Sequence, residues 1–109
     1  MATSKQFLNY VIDQLSPTGN VAFKPMMGEY LFYYEGVHVG GLYDGRVLIK
    51  QLAANDGFGL KSEHPYEGAK RFMRKIDDLN DVEFLRKVLI ATAEQLKSDK
   101  LNSERLKKR

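Results

Sequence analysis

Pro25-Met26-Met27-Gly28-Glu29-Tyr30-Leu31-Phe32-Tyr33-Tyr34-Glu35-Gly36-Val37-His38-Val39-Gly40-Gly41-Leu42-Tyr43-Asp44-Gly45-Arg46-Val47-Leu48-Ile49-Lys50 decides the fold. Runs of β-branched and aromatic residues flank Glu35-Gly36 and Asp44-Gly45, and both dipeptides punctuate hairpins. Asp-Gly is the stronger signal, because both of its residues tolerate positive φ. The stretch therefore reads as an antiparallel meander. With two-residue turns, Tyr34 faces Val37, Phe32 faces Val39 and Tyr30 faces Gly41, while Tyr43 faces Arg46 and Gly41 faces Leu48. One sheet face then carries Tyr30, Phe32, Tyr34, Val37, Val39, Tyr43 and Leu48. The other carries Leu31, Tyr33, His38, Leu42, Val47 and Ile49. Both are largely apolar, unlike a sheet with one wet face. Either helices cover both faces or a partner covers one, and the second set is the expected partner interface. A bulge at Gly40-Gly41 would shift this assignment by one residue.

Outward from the meander, residues 4–15 read as a helix. Phe7, Leu8, Val11, Ile12 and Leu15 form one stripe, Thr3 or Ser4 caps the start, and Pro17 with Gly19 ends it. Val21 and Phe23 alternate with Ala22 and Lys24 as a first strand, where Pro25 implies an edge or a bulge. Gln51 to Asn55 suits a single helical turn, His64-Pro65 an extended passage, and Arg71 to Ile76 a short last strand. Asn80 with Glu83 reads as a capping box, with Leu79 and Phe84 as its hydrophobic staple. Val82, Leu85, Val88, Leu89, Thr92 and Leu96 carry the following helix to about Lys97. Residues 1–97 are the expected domain and 98–109 a basic, disordered tail.

The 109 residues suit one domain with one core. There is no cysteine, which removes a disulfide framework, a thiolate metal site and a cysteine nucleophile together. No signal-like or membrane-length apolar run occurs, so the expected location is the cytoplasm and no membrane partner is expected. Positions 97–109 hold six basic residues against two acidic ones, whereas the rest of the chain holds eleven against twelve. The net charge of +3 therefore belongs to the C-terminal end.

Candidate chemistry is sparse. His38 and His64 lack metal-ligand spacing. Asp77, Asp78 and Asp81 precede a helix, where carboxylates are favoured by free N–H groups. Gly28 lies in no phosphate-cradling pattern, and Met26 and Met27 suit packing or an adaptable contact surface. No nucleophile–base–orienter set stands out, so neither catalysis nor a cofactor or metal is expected. Lys70, Arg71, Arg74 and Lys75 could join Lys97, Lys100, Arg105, Lys107, Lys108 and Arg109 in a basic patch. Such a patch would meet phosphates weakly and without sequence preference.

Taken together, Pro25-Met26-Met27-Gly28-Glu29-Tyr30, Tyr33-Tyr34, Gly40-Gly41, Tyr43-Asp44 and Leu48-Ile49-Lys50 resemble the TfoX N-terminal domain family. A second block agrees: Pro65-Tyr66-Glu67-Gly68-Ala69-Lys70, then Asp77-Asp78. The resemblance covers nearly all of residues 4–97. It implies a two-layer α+β fold with an N-terminal helix, an antiparallel meander sheet and a C-terminal helix, akin to secretion chaperones. It also implies a non-catalytic bacterial regulator acting by protein–protein contact. The family's competence regulators (TfoX, or Sxy) act with the cyclic-AMP receptor protein at promoters and carry a second, C-terminal domain for which this chain has no room. The expected partners are accordingly an unidentified protein, with the transcription machinery and a second copy of the chain as options. Weak nucleic-acid binding through the basic end is the alternative.

Overall fold

Three tight turns join the first four strands of the sheet. Met27-Gly28, Glu35-Gly36 and Asp44-Gly45 each place both central residues at positive φ (49° and 85°, 48° and 79°, 50° and 69°). That is the turn whose twist matches paired strands, and glycine takes the second position without steric cost. The Met27-Gly28 turn adds a hairpin to the two expected at Glu35-Gly36 and Asp44-Gly45.

The computed structural model describes the backbone of residues 2–107 and side chains as far as Glu104. The chain runs α1 (Lys5–Leu15), a 3₁₀ turn (Ser16–Thr18), β1 (Val21–Met26), β2 (Glu29–Tyr34), β3 (Val37–Tyr43), β4 (Arg46–Lys50), a 3₁₀ segment (Ala53–Phe58), β5 (Lys61–Glu63), β6 (Met73–Ile76) and α2 (Val82–Lys107). The strands form one antiparallel sheet in the order β1-β2-β3-β4-β6-β5. This is the α+β fold with a helix at each end of the sequence. Pro25 lies in the edge strand β1, where its missing N–H costs no ladder bond.

The register breaks once. Tyr34 faces Val37 and Tyr33 faces His38, as the turn dictates, but Phe32 faces Gly40 and Tyr30 faces Leu42. Val39 is the extra residue, one position before the glycine pair at which a bulge was anticipated. From there on every β3 side chain changes face. The expected Phe32–Val39 and Tyr30–Gly41 pairs do not form, and the two-apolar-face assignment fails with them.

One face now collects Phe32, Tyr34, Val39, Leu42, Val47, Ile49 and Ile76, all buried. Val11 and Leu15 of α1 and Leu85, Val88, Leu89 and Ala93 of α2 pack on it. Leu42 and Ile49 have no exposed surface and Val47 has 2%, so these three belong to the core and not to a partner interface. The opposite face carries Ala22, Lys24, Leu31, Tyr33, His38, Gly41, Tyr43, Arg46, Leu48 and Lys50, following from the pairing. Polar and apolar residues mix there, as on an ordinary one-sided sheet.

The helix ends follow local chemistry. Ser4 caps α1, its Oγ accepting from the Phe7 N–H at 3.1 Å. For α2 the cap is Asp81 rather than Asn80: the Asp81 carboxylate accepts from the Phe84 N–H at 3.1 Å. Asn80 sits one residue outside and accepts from the Gln14 amide at 3.0 Å. The backbone of α2 continues to Lys107, ten residues beyond its expected end. No Gly or Pro interrupts it, and the stretch is rich in Lys, Glu, Leu and Arg, all good helix formers. Side chains from Lys97 to Glu104 are exposed, so this part extends about 12 Å at 1.5 Å per residue.

Candidate functional site

The outer sheet face is only partly open. After β5 the chain crosses back over β3 and β4 before entering β6, and Arg46 fastens this crossing. Its Nη1 donates to Glu63 Oε1 at 2.9 Å and to the His64 carbonyl at 3.0 Å, and its Nη2 to the Pro65 carbonyl at 2.9 Å. Its Nε donates to the Tyr43 carbonyl at 3.2 Å. Tyr66 lies near Tyr43 with ring centroids 6.5 Å apart, and Pro65 is buried. His64 stacks on Phe72 at 4.1 Å, with the rings 15° from parallel. Phe72, inside the expected last strand, instead precedes β6 and is half-exposed.

Between this crossing and the sheet lies a cleft of about 840 Å³. His38, Gly40 and Tyr43 of β3, Lys50 at the end of β4, residues 65–73 other than Glu67 and, from α2, Leu96 and Asp99 line it. The bulge helps to form this wall. A Cβ on Gly40 would stand 2.1 Å from the Leu48 carbonyl oxygen, so β4 closes in there as only glycine permits.

Two groups in the cleft are electrostatically unsatisfied. His38 Nε2 is buried and has no hydrogen-bond partner among the described residues. Burial holds the imidazole below its ordinary pKa, the Lys50 charge pushes the same way, and a backbone hydrogen bond with Gly40 opposes them. Lys50 is half-buried, and desolvation lowers its ammonium pKa. No carboxylate lies within 4.0 Å of it among the described residues. Burial also raises the Tyr43 phenol, with smaller contributions from Tyr66 and Glu29.

The expected basic patch divides. Lys70 and Arg71 are exposed and line the cleft. Arg74 turns toward the 3₁₀ segment and pairs with Asp56, also donating to Ser62 Oγ at 3.2 Å. Lys75 lies 3.2 Å from Asp77 and 3.6 Å from Glu63, and Asp77 raises its pKa most. Arg74 and Lys75 are therefore committed to internal ion pairs. Lys97 and Lys100 stand exposed on the projecting turns of α2. The side chains of Arg105 and Lys107, and all of Lys108 and Arg109, lie outside the described residues.

Of the six expected interface residues, Leu31, Tyr33 and His38 do lie on the outer face, half-buried. Tyr33 packs beside His38 with centroids 5.2 Å apart, and Lys24 Nζ sits 5.0 Å from the Tyr33 ring centroid. The carboxylates before α2 are engaged locally, Asp78 accepting from the Asn80 N–H at 2.8 Å. Among the described residues no three or more His, Asp or Glu side chains gather as metal ligands would. The cleft itself was not foreseen. Its available signals were His64-Pro65, which forces an extended passage, and Lys50 closing an apolar strand.

The chain is 34% identical over 102 residues to an uncharacterised 12.7 kDa protein in the trpE 5′ region of Spirochaeta aurantia, spanning 92% of this chain and 89% of that protein. It belongs to the same family. The matched length takes in the meander, the crossing and most of both helices, so the relative is similar over the whole fold and not over a fragment of it. No protein-family model matches the chain, and no solved structure matches it. Among the described residues no helix is long and apolar enough to cross a membrane.

Proposed function

We propose that this chain is a non-catalytic, cytoplasmic regulatory domain of the TfoX N-terminal kind, working by contact with another protein. The observation that carries the reading is the half of the outer face that the crossing leaves uncovered. Both helices pack on the core face. Leu31 and Tyr33 are left beside the first hairpin, whose Met26 is 37% exposed and whose Met27 is fully exposed. Apolar and aromatic side chains of this kind, with adaptable methionines, suit a protein contact. The resemblance in Pro25–Lys50 points the same way. The partner class is a protein of the transcription machinery, with a second copy of this chain as the simplest form of contact.

The test pairs the wild type with Leu31→Glu/Tyr33→Glu, in sedimentation and in crosslinking from native cells. A dimer, or one recurrent partner, that the double variant loses supports the reading. The same mass and the same partners for both proteins overturn it. The alternative of weak nucleic-acid binding draws on exposed Lys70, Arg71, Lys97 and Lys100. It requires duplex DNA to be retained at low salt and released as salt rises. Salt-independent binding, or none, removes it.

A further inference from the structure

We propose that the cleft between the outer sheet face and the 64–73 crossing binds a small aromatic anion, a nucleoside monophosphate being the chemical class that fits. The inference does not depend on the protein-contact reading, which uses the adjoining β1–β2 part of the same face.

Charge points to an anion. The cleft is lined by three cations, Lys50, Lys70 and Arg71, against one carboxylate, Asp99. Lys50 matters most. A half-buried ammonium with no counterion among the described residues pays for desolvation without compensation from one. Where the chain gains no stability from such a group, an incoming anion does gain from it. Arg71 adds a planar donor fork suited to phosphate.

Shape and lining point to a flat ring. Tyr66 is 62% exposed and Phe72 51% exposed, although both border a concave site. Exposed aromatics around a cleft offer stacking surface to a base. The volume, about 840 Å³, lies within the roughly 300–1,000 Å³ range of ligand clefts. In this arrangement Lys50 and Arg71 take the phosphate and Tyr66 the base.

The test titrates isotope-labelled full-length protein with AMP, adenosine and inorganic phosphate in separate arms, following amide NMR shifts. AMP is expected to saturate at low millimolar concentration or below and to move the amides of His38, Gly40, Lys50 and residues 66–72. Adenosine and phosphate alone should each bind at least about tenfold more weakly, as expected when one charge-assisted contact or one stack is lost. Lys50→Met should weaken AMP by about tenfold for the same reason, while Lys97→Ala, outside the cleft, should not. Removing the unpaired charge leaves the fold intact or stabilised. Should that variant nonetheless misfold, the exposed Arg71→Ala provides the same reading. Equal affinity for phosphate and AMP overturns the aromatic assignment. Shifts confined to the C-terminal helix, or no saturation, overturn the site.

Discussion

The Glu29 carboxylate ties together three distant segments. One oxygen accepts from the Thr3 N–H at 2.9 Å and the Thr3 hydroxyl at 2.6 Å, and the other from the Asp44 N–H at 2.9 Å. Thr3 Oγ1 in turn accepts from the Gly45 N–H at 3.2 Å. The N-terminus, the first hairpin and the third turn are thus held by one side chain. Glu29→Gln keeps its shape but sets an amide NH₂ against N–H donors. The variant should lose about 2 kcal/mol, the scale of a charge-assisted hydrogen bond, in urea unfolding, and the Asp44 and Gly45 amides should exchange faster. A loss confined to the baseline error would show that the contact is dispensable. Nothing local to Glu29 reveals this role, because its partners lie 26 and 15 residues away in sequence. Gly36 and Gly45 are the opposite case: their function is written in the dipeptide that contains them.

At the scale of elements, the start of α2 and the bulge in β3 carry the same lesson. Asn80 with Glu83 satisfies the local pattern of a capping box, yet Asp81 holds the cap. Leu79 is 5% exposed and belongs to the core, and Gln14 Nε2 reaches the Leu79 carbonyl at 2.9 Å as well as Asn80. This cross-link to α1 fixes residues 79 and 80 outside the helix and passes the cap to the next acceptor. Asp81→Ala should therefore cost about 1 kcal/mol, the usual value of an N-cap side chain, and Asn80→Ala less. Thermal melts of the two variants decide it, and the reverse order would return the cap to Asn80. In β3, the periodicity of Val37 to Tyr43 fits either face. Only packing on α1 and α2 selects the register that buries Leu42, Val47 and Ile49 together. The 3₁₀ segment is held the same way: Asn55, fully buried, donates to the Lys50 carbonyl at 2.8 Å and to Thr92 Oγ1 at 3.0 Å, and the Ala54 N–H donates to Gln95.

For the molecule as a whole, the cleft makes stability depend on pH. The folded state holds His38 below its ordinary value of 6.5, whereas the unfolded chain does not. Above about 6.5 both states are neutral at this site and its contribution is fully present. As pH falls from there, the unfolded state takes up a proton that the folded state resists, so stability drops until the folded-state pKa is passed. Denaturant midpoints at about pH 7.5 and about pH 5.5 should fall further apart for the wild type than for His38→Gln. An equal fall in both proteins would assign the effect to other groups.

Sequence alone determined the elements: two amphipathic helices, a meander punctuated at Glu35-Gly36 and Asp44-Gly45, a first strand with an edge or a bulge at Pro25, and a basic C-terminal end. These follow from short-range rules, namely which residues tolerate positive φ, which spacing makes a stripe and which ring lacks an N–H. Tertiary structure alone decided which meander face is core, which acid caps α2, which cations are free and that a cleft exists. Each of those depends on contacts across tens of residues. A single extra residue at Val39 was enough to turn half of an expected interface into the centre of the core.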